Sequence, residues 1–328
     1  MKPATIGLAA TAAALVLLAS SSGPARTPAP GGTPGGAPPA PGGVEEIPPS
    51  DAEFVGIGEL PTLERDLALA RAAFGRFQHG GHRAEISWVE LDCSRGGHEG
   101  KVFVSRSPLL VSIRARIPAS IAPFGARYHE LLEPWRGKLY EGMCAVNLRH
   151  PTAELVAARL GCHLPTTRIA DLAWLEAGRT SGQITPQNQV PDAKMAYTHR
   201  MIAHYLAVHS QIHRIEPRPQ IARPMGKDWA TSKLLSRDRA VNFGWHSIAG
   251  TFASPGGLAV LQPLADAHTV DQVDYSQVVT LVSSDMLVNG YVRKLDEILR
   301  DPVLSILVSD EGPLTTTRHP LYQELAVA

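Results

Sequence analysis

A thiol, an imidazole and a carboxylate follow one another along this chain as Cys162, His246 and Asp274. In that order they match nucleophile, general base and orienting group: the imidazole takes the thiol proton and the carboxylate holds the other ring nitrogen. The chain has three cysteines. In an exported protein they make at most one internal disulfide and leave one thiol over. Cys93 and Cys144 sit near the ends of strand-like segments and are the expected bridge, which makes Cys162 the candidate nucleophile. The chemistry implied is a thiol-dependent hydrolase acting on peptide or amide bonds, with peptide or cell-wall-like substrates. The bland alternative is a small buried thiol packed under a helix corner.

The segment VNFGWH reads as a strand in which Val241, Phe243 and Trp245 point one way and Asn242, Gly244 and His246 the other. Gly244 would leave room on the second face for a ligand. Gln262, His268 and Asp271 precede Asp274 in an expected loop over the same face, and Lys227 in MGKDWATSKLL is a candidate substrate-facing cation, with a plain surface lysine as the alternative. Asn242, Gly244, Gln262, His268 and Lys227 are therefore the expected substrate contacts. The same face also suits a noncatalytic domain that holds an envelope glycan or peptide without attacking it.

Metal chemistry competes through His209 and His213, four apart on one helix face, in a third alternative of metal-dependent hydrolysis. No acidic residue stands between them as in HExxH, and thirteen histidines make chance pairs common, so no metal or cofactor is assigned. Gly80-Gly81 and Gly256-Gly257 carry no phosphate-loop pattern, and the G-x-S-x-G nucleophile elbow is absent.

To position these residues the chain offers an α+β pattern, with a mainly antiparallel sheet and a central helical segment. A helix is expected from Leu63 to Phe77, capped by Thr62. Three β-rich stretches, Ile86–Leu91, Val102–Ser105 and Leu109–Ile117, should form one antiparallel sheet. Helices follow at Ala153–Leu160, capped by Thr152 and stopped by Gly161, then from Thr166 or Thr167 to Gly178 with Asp171 in its first turn, then at Ala193–Ile212. Cys162 lies in the link between the first two of these. Strands return at Ala240–His246, Leu258–Leu261 and Ser276–Val282, with a hairpin at Asn289-Gly290 and a short helix at Leu295–Arg300.

Lys2 precedes an unbroken apolar run from Ile6 to Ala19, shorter than a bilayer span, so residues 1–22 are expected to be a cleavable signal peptide. Residues 23–50, almost all Gly, Pro, Ala and Thr, are an expected extended tether, and 51–328 a single globular domain. The location implied is secreted or periplasmic, with no stable membrane insertion after cleavage. Lys plus Arg equals Asp plus Glu at 31 each, so no overall field draws the protein to nucleic acid.

The segments GCHLPTTRIAD, VNFGWH and VDYSQVVTLV together resemble a group of secreted bacterial proteins carrying GC-x-LPT, YGWH and DYS in this order. The resemblance spans Pro151 to Ser283 and implies a common framework of Cys162, Leu164, Pro165, Thr166, His246, Asp274 and Tyr275. Gln277 stands where such relatives are expected to carry histidine. The residue order is, separately, similar to that of papain-like and NlpC/P60 hydrolases.

Overall fold

Thr62 opens the first helix as expected: its hydroxyl accepts from the Arg65 amide at 3.1 Å, one of the donors that a helix start leaves unpaired. The computed structural model describes residues 54–78 and 86–325; the expected signal peptide, tether and Gly80-Gly81 break lie outside them. Strand β1 (Val55–Gly56) leads into α1 (Leu63–Gln78). In β2 (Trp88–Asp92) buried Val89 and Leu91 alternate with exposed Glu90 and Asp92, and β2 pairs antiparallel with β3 (Gly100–Ser105).

The third β-rich stretch does not join them. After Pro108 the chain turns away and β4 (Leu110–Arg116) pairs antiparallel with β5 (Leu139–Ala145) and parallel with β1. Between β4 and β5 lies α2 (Ala126–Leu132).

The helical centre comprises α3 (His150–Arg159), α4 (Thr167–Arg179) and α5 (Thr198–Ile212). α3 begins three residues earlier than expected, with Pro151 in its first turn where a missing N–H costs nothing. Thr152 is thus inside the helix rather than capping it. Gly161 ends the turn at φ +69°, followed by β6 (Cys162–His163). Thr166 caps α4 by accepting from the Ile169 amide at 3.2 Å. α5 starts five residues later than expected because Asp192 Oδ1 accepts from the Lys194 amide at 2.7 Å, a local turn that competes with the helix.

α4 lies between two sheets. Ile169, Ala173 and Ala177, at spacing four, bury one stripe against β2, β3 and the helix Leu295–Arg300, while Ala170 packs with Val241, Phe243 and Val260. Full burial of an isoleucine such as Ile169 contributes about 1.5–3 kcal/mol.

The first of those two sheets has the order β14-β13-β3-β12-β6, with β2 on β3; the second has the order β11-β7-β8-β10-β9. Their remaining strands are β7 (Lys227–Trp229), β8 (Arg239–His246), β9 (Phe252–Ala253), β10 (Ala259–Thr269), β11 (Gln277–Val278), β12 (Val282–Ser283), β13 (Asp285–Val288) and β14 (Tyr291–Lys294). β10 runs well past the expected stop at Leu261, because register shifts on either side of Ala265 leave Pro263 where the ladder is already interrupted. The expected strand Ser276–Val282 is split: β11 runs parallel to β7 in one sheet, and β12 sits between β3 and β6 in the other. Asn289 and Gly290, at φ +51° and +81°, make the expected hairpin turn. α6 (Leu295–Arg300) follows, and α7 (Tyr322–Leu325) closes the described chain.

The fold is α+β with antiparallel-rich sheets; among the described strand pairs β1 with β4 and β11 with β7 run parallel. No helix among the described residues is long and apolar enough to cross a membrane.

Candidate binding site

β8 carries candidate residues on both of its faces, and its backbone decides which. Gly244 has φ +126° and Trp245 φ +52°, so the simple alternation expected for VNFGWH breaks at this point. Phe243 and His246 end up on the same side, with ring centroids 5.4 Å apart, and Trp245 turns to the side of Asn242. Gly244 is required by its own backbone conformation and faces the β7 backbone, which replaces the expected ligand clearance.

On the α4 side, His246 Nε2 is joined to Asp171 Oδ1 at 2.6 Å and Ser254 Oγ donates to Asp171 Oδ2 at 2.6 Å. Trp174 stacks on the His246 ring at 5.7 Å. Asp171 is in the second turn of α4, not the first, and its role was not legible: it is reached from Ser254 across 83 residues. The Ser254–Gly257 turn seals the carboxylate, since a Cβ on Gly256 would stand 2.4 Å from Asp171 Oδ2. Every oxygen of Asp171 is used, and this group fastens the β9 turn to α4. Nearby Asp228 is also buried, which pushes its carboxyl up from the ordinary value against the opposing pull of Arg223.

On the other side, the ladder pairs Lys227 with Gly244 and Trp229 with Asn242, so these side chains share a face. Lys227 Nζ donates to Asp274 Oδ2 at 2.6 Å and lies 5.4 Å from the Trp245 ring centroid. Asp274 Oδ1 accepts from the amide and hydroxyl of Ser276, at 2.7 and 2.6 Å. Burial raises the Asp274 carboxyl, but the charge and hydrogen bond of Lys227 and the bonds from Ser276 outweigh it and leave the group below the ordinary carboxylate value.

Gln277 completes the turn by accepting from the Asp274 amide through Oε1 at 2.6 Å. Tyr275 accepts from the Gln189 amide at 2.8 Å through its hydroxyl. Behind these groups, His204 Nε2, Trp245 Nε1 and both amide atoms of Asn242 have no hydrogen-bond partner among the described residues. Burial holds the His204 imidazole down at about 4, so it is neutral near pH 7.

Beside the ion pair is a groove of about 260 Å³, whose walls include Asp274, Gln277, His268 and Asp192 and whose apolar surface comes from Met195 and Val273. Its carboxylates are compensated: Asp274 by Lys227 and Asp192 by Arg200. Arg200 in turn lies 4.2 Å from the Phe124 ring centroid and donates to the Val190 carbonyl, which holds the loop before α5 in place.

The expected catalytic residues are distributed otherwise. His246 is oriented by Asp171, while Asp274 is held by Lys227 and Ser276 in the groove wall, so the base and its expected orienter are not partners. Cys162 is 1% exposed, lies in the core cluster with Leu164 and Val156, and directs its thiol at the Leu160 carbonyl, 3.5 Å away. It precedes α4 by a strand, outside the helix terminus that would favour a thiolate.

The expected Cys93–Cys144 bridge is absent because the two sulfurs belong to different core clusters. Burial pushes the Cys93 thiol up to about 12 and raises Cys144 as well. His209 and His213 do meet, with ring centroids 4.2 Å apart, yet no group of three or more metal-ligating side chains occurs among the described residues.

Of the expected substrate contacts, Lys227 and His268 reach the ion pair and groove, whereas Asn242 is fully buried behind them. Gln262 lies on β10 opposite Gly244 and donates to the Pro263 carbonyl. No family model, curated protein or solved structure matches the chain.

Proposed function

We propose that the domain is a noncatalytic binding module of an exported protein, and that the groove beside Lys227 and Asp274 holds an uncharged, hydrogen-bonding envelope ligand, a glycan or peptide. The observation that carries this reading is the groove itself. Polar groups of β10, β11 and two loops converge on it (His268, Gln277, Asp192 and Asp274), its carboxylates are paired, and apolar Met195 and Val273 offer a surface for the ligand body. Export rests on the N-terminal apolar run of the sequence. A thiol nucleophile is not favoured, since Cys162 is enclosed and His246 is committed to Asp171.

The test is co-sedimentation with purified peptidoglycan sacculi. The wild-type protein pellets with the sacculi, and the Lys227→Met/Asp274→Leu double variant stays in the supernatant. That variant exchanges a buried pair for apolar groups of similar volume, a change that proteins often tolerate without loss of fold. Wild-type protein that fails to pellet, or a folded double variant that pellets equally well, contradicts the reading.

A further inference from the structure

Resting on that binding reading, we infer that Gln277 is the specificity-determining residue of the groove and that its side-chain NH2 donates to the carbonyl oxygen of an N-acetyl group on a glycan. The orientation of a glutamine amide is usually a matter of assignment, but here the chemistry fixes it. The atom facing the Asp274 amide at 2.6 Å must be an acceptor, because a backbone N–H can only donate. Oε1 is therefore turned inward.

The other end of the amide, Nε2, has no protein partner among the described residues and belongs to a residue that lines the groove. Gln277 is 2 % exposed, so the donor it turns to the groove is held in a fixed position. Its complement is an acceptor without charge, since the neighbouring carboxylate of Asp274 is already satisfied by Lys227 and Ser276. An acetamido group supplies such an acceptor, and its methyl is of a size to lie against Met195 and Val273.

A peptide carries the same carbonyl but needs an extended edge to be read along its backbone. β11, the strand in this wall, has only two residues, too short an edge for such reading. The geometry therefore points to the sugar acetamide.

Isothermal titration with N-acetylated chitotetraose, its de-N-acetylated counterpart and a wall stem tetrapeptide tests this, using wild type, Gln277→Glu and Gln277→Met. Gln277→Glu keeps an acceptor for the Asp274 amide and replaces the donor by an oxygen; Gln277→Met removes the donor without adding charge. Thermal melts of both variants establish that they are folded.

The expected result is wild-type binding of the acetylated tetramer only, with about a tenfold loss in each variant, the scale of one hydrogen bond. Equal affinity of wild type for the acetylated and free-amine sugars, preference for the peptide, or undiminished binding by both folded variants overturns the inference while leaving the binding reading intact. Absence of wild-type binding to all three probes, together with failure to pellet with sacculi, removes both.

Discussion

The two faces of β8 hold similar side chains and use them differently. On the α4 face an imidazole, a carboxylate and a hydroxyl close on one another, with Asp171 serving both His246 and Ser254 and a glycine turn packed over them. On the opposite face Lys227, Asp274 and Ser276 also close, but around them Gln277 keeps a donor and His204, Trp245 and Asn242 keep unpaired polar atoms. Unpaired buried polar groups are destabilising unless something else satisfies them. Such atoms occur on both faces, since Asp228 Oδ1 beside His246 is unpaired too among the described residues; the first face is a fastening, and what sets the second apart is the groove it borders.

The largest effect that would separate the faces comes from Asp171→Ala. It leaves His246 and Ser254 without their partner in a closed site, and should lower the unfolding free energy by roughly 3 kcal/mol. Sacculus binding of the remaining folded protein should be unchanged. Chemical denaturation and pelleting measure the two independently, and a loss of binding without loss of stability would reverse the assignment of the faces.

On the groove side, His204 gives a signature in pH. Its folded value of about 4 lies below the ordinary ~6.5 of histidine, so between those values the unfolded chain binds more protons and stability falls as pH drops. His204→Leu should flatten the acid limb of a stability profile between pH 7.5 and 5. Part of the slope remains, because buried His150 and His163 titrate with the same sign. Glu154, raised to about 7 by burial, acts the other way: its contribution is lost as pH rises from about 4 to 7. An unchanged slope in the variant would remove His204 from the account.

A smaller change tests the scaffold that both faces share. Thr166→Ala removes the α4 cap and the hydroxyl donated to the Val308 carbonyl at 2.5 Å, and should cost about 1–2 kcal/mol in denaturant melts. The thiols should be silent throughout, with native protein unlabelled by iodoacetamide and all three cysteines modified once it is unfolded. Rapid native labelling of Cys162 would restore it as a reactive group.

Local signals made much of the scaffold legible. Thr62 and Thr166 as caps, Gly161 as a stop, Asn289-Gly290 as a hairpin and the Leu295–Arg300 helix all follow from short-range chemistry. Long-range competition defeated other readings. Pro263 did not end β10 because a bulge received it, and the apolar run Ser276–Val282 was shared by two sheets.

The site was half legible for the same reason. Lys227, Asp274 and His268 stood out as residues, but pairing Asp274 with Lys227 and His246 with Asp171 depends on a two-residue departure from alternation at Gly244 and Trp245. Nothing in a period-two reading announces a tryptophan at positive φ.

Hydrogen–deuterium exchange of the full chain, with and without solubilised, N-acetylated peptidoglycan fragments, locates the ligand on one face of β8 or the other. Protection should concentrate in residues 192–196 and 268–277, with the Ser254–Gly257 turn and α4 unchanged. Protection centred on His246, Asp171 and Ser254 instead, or none anywhere at saturating ligand, would contradict the account.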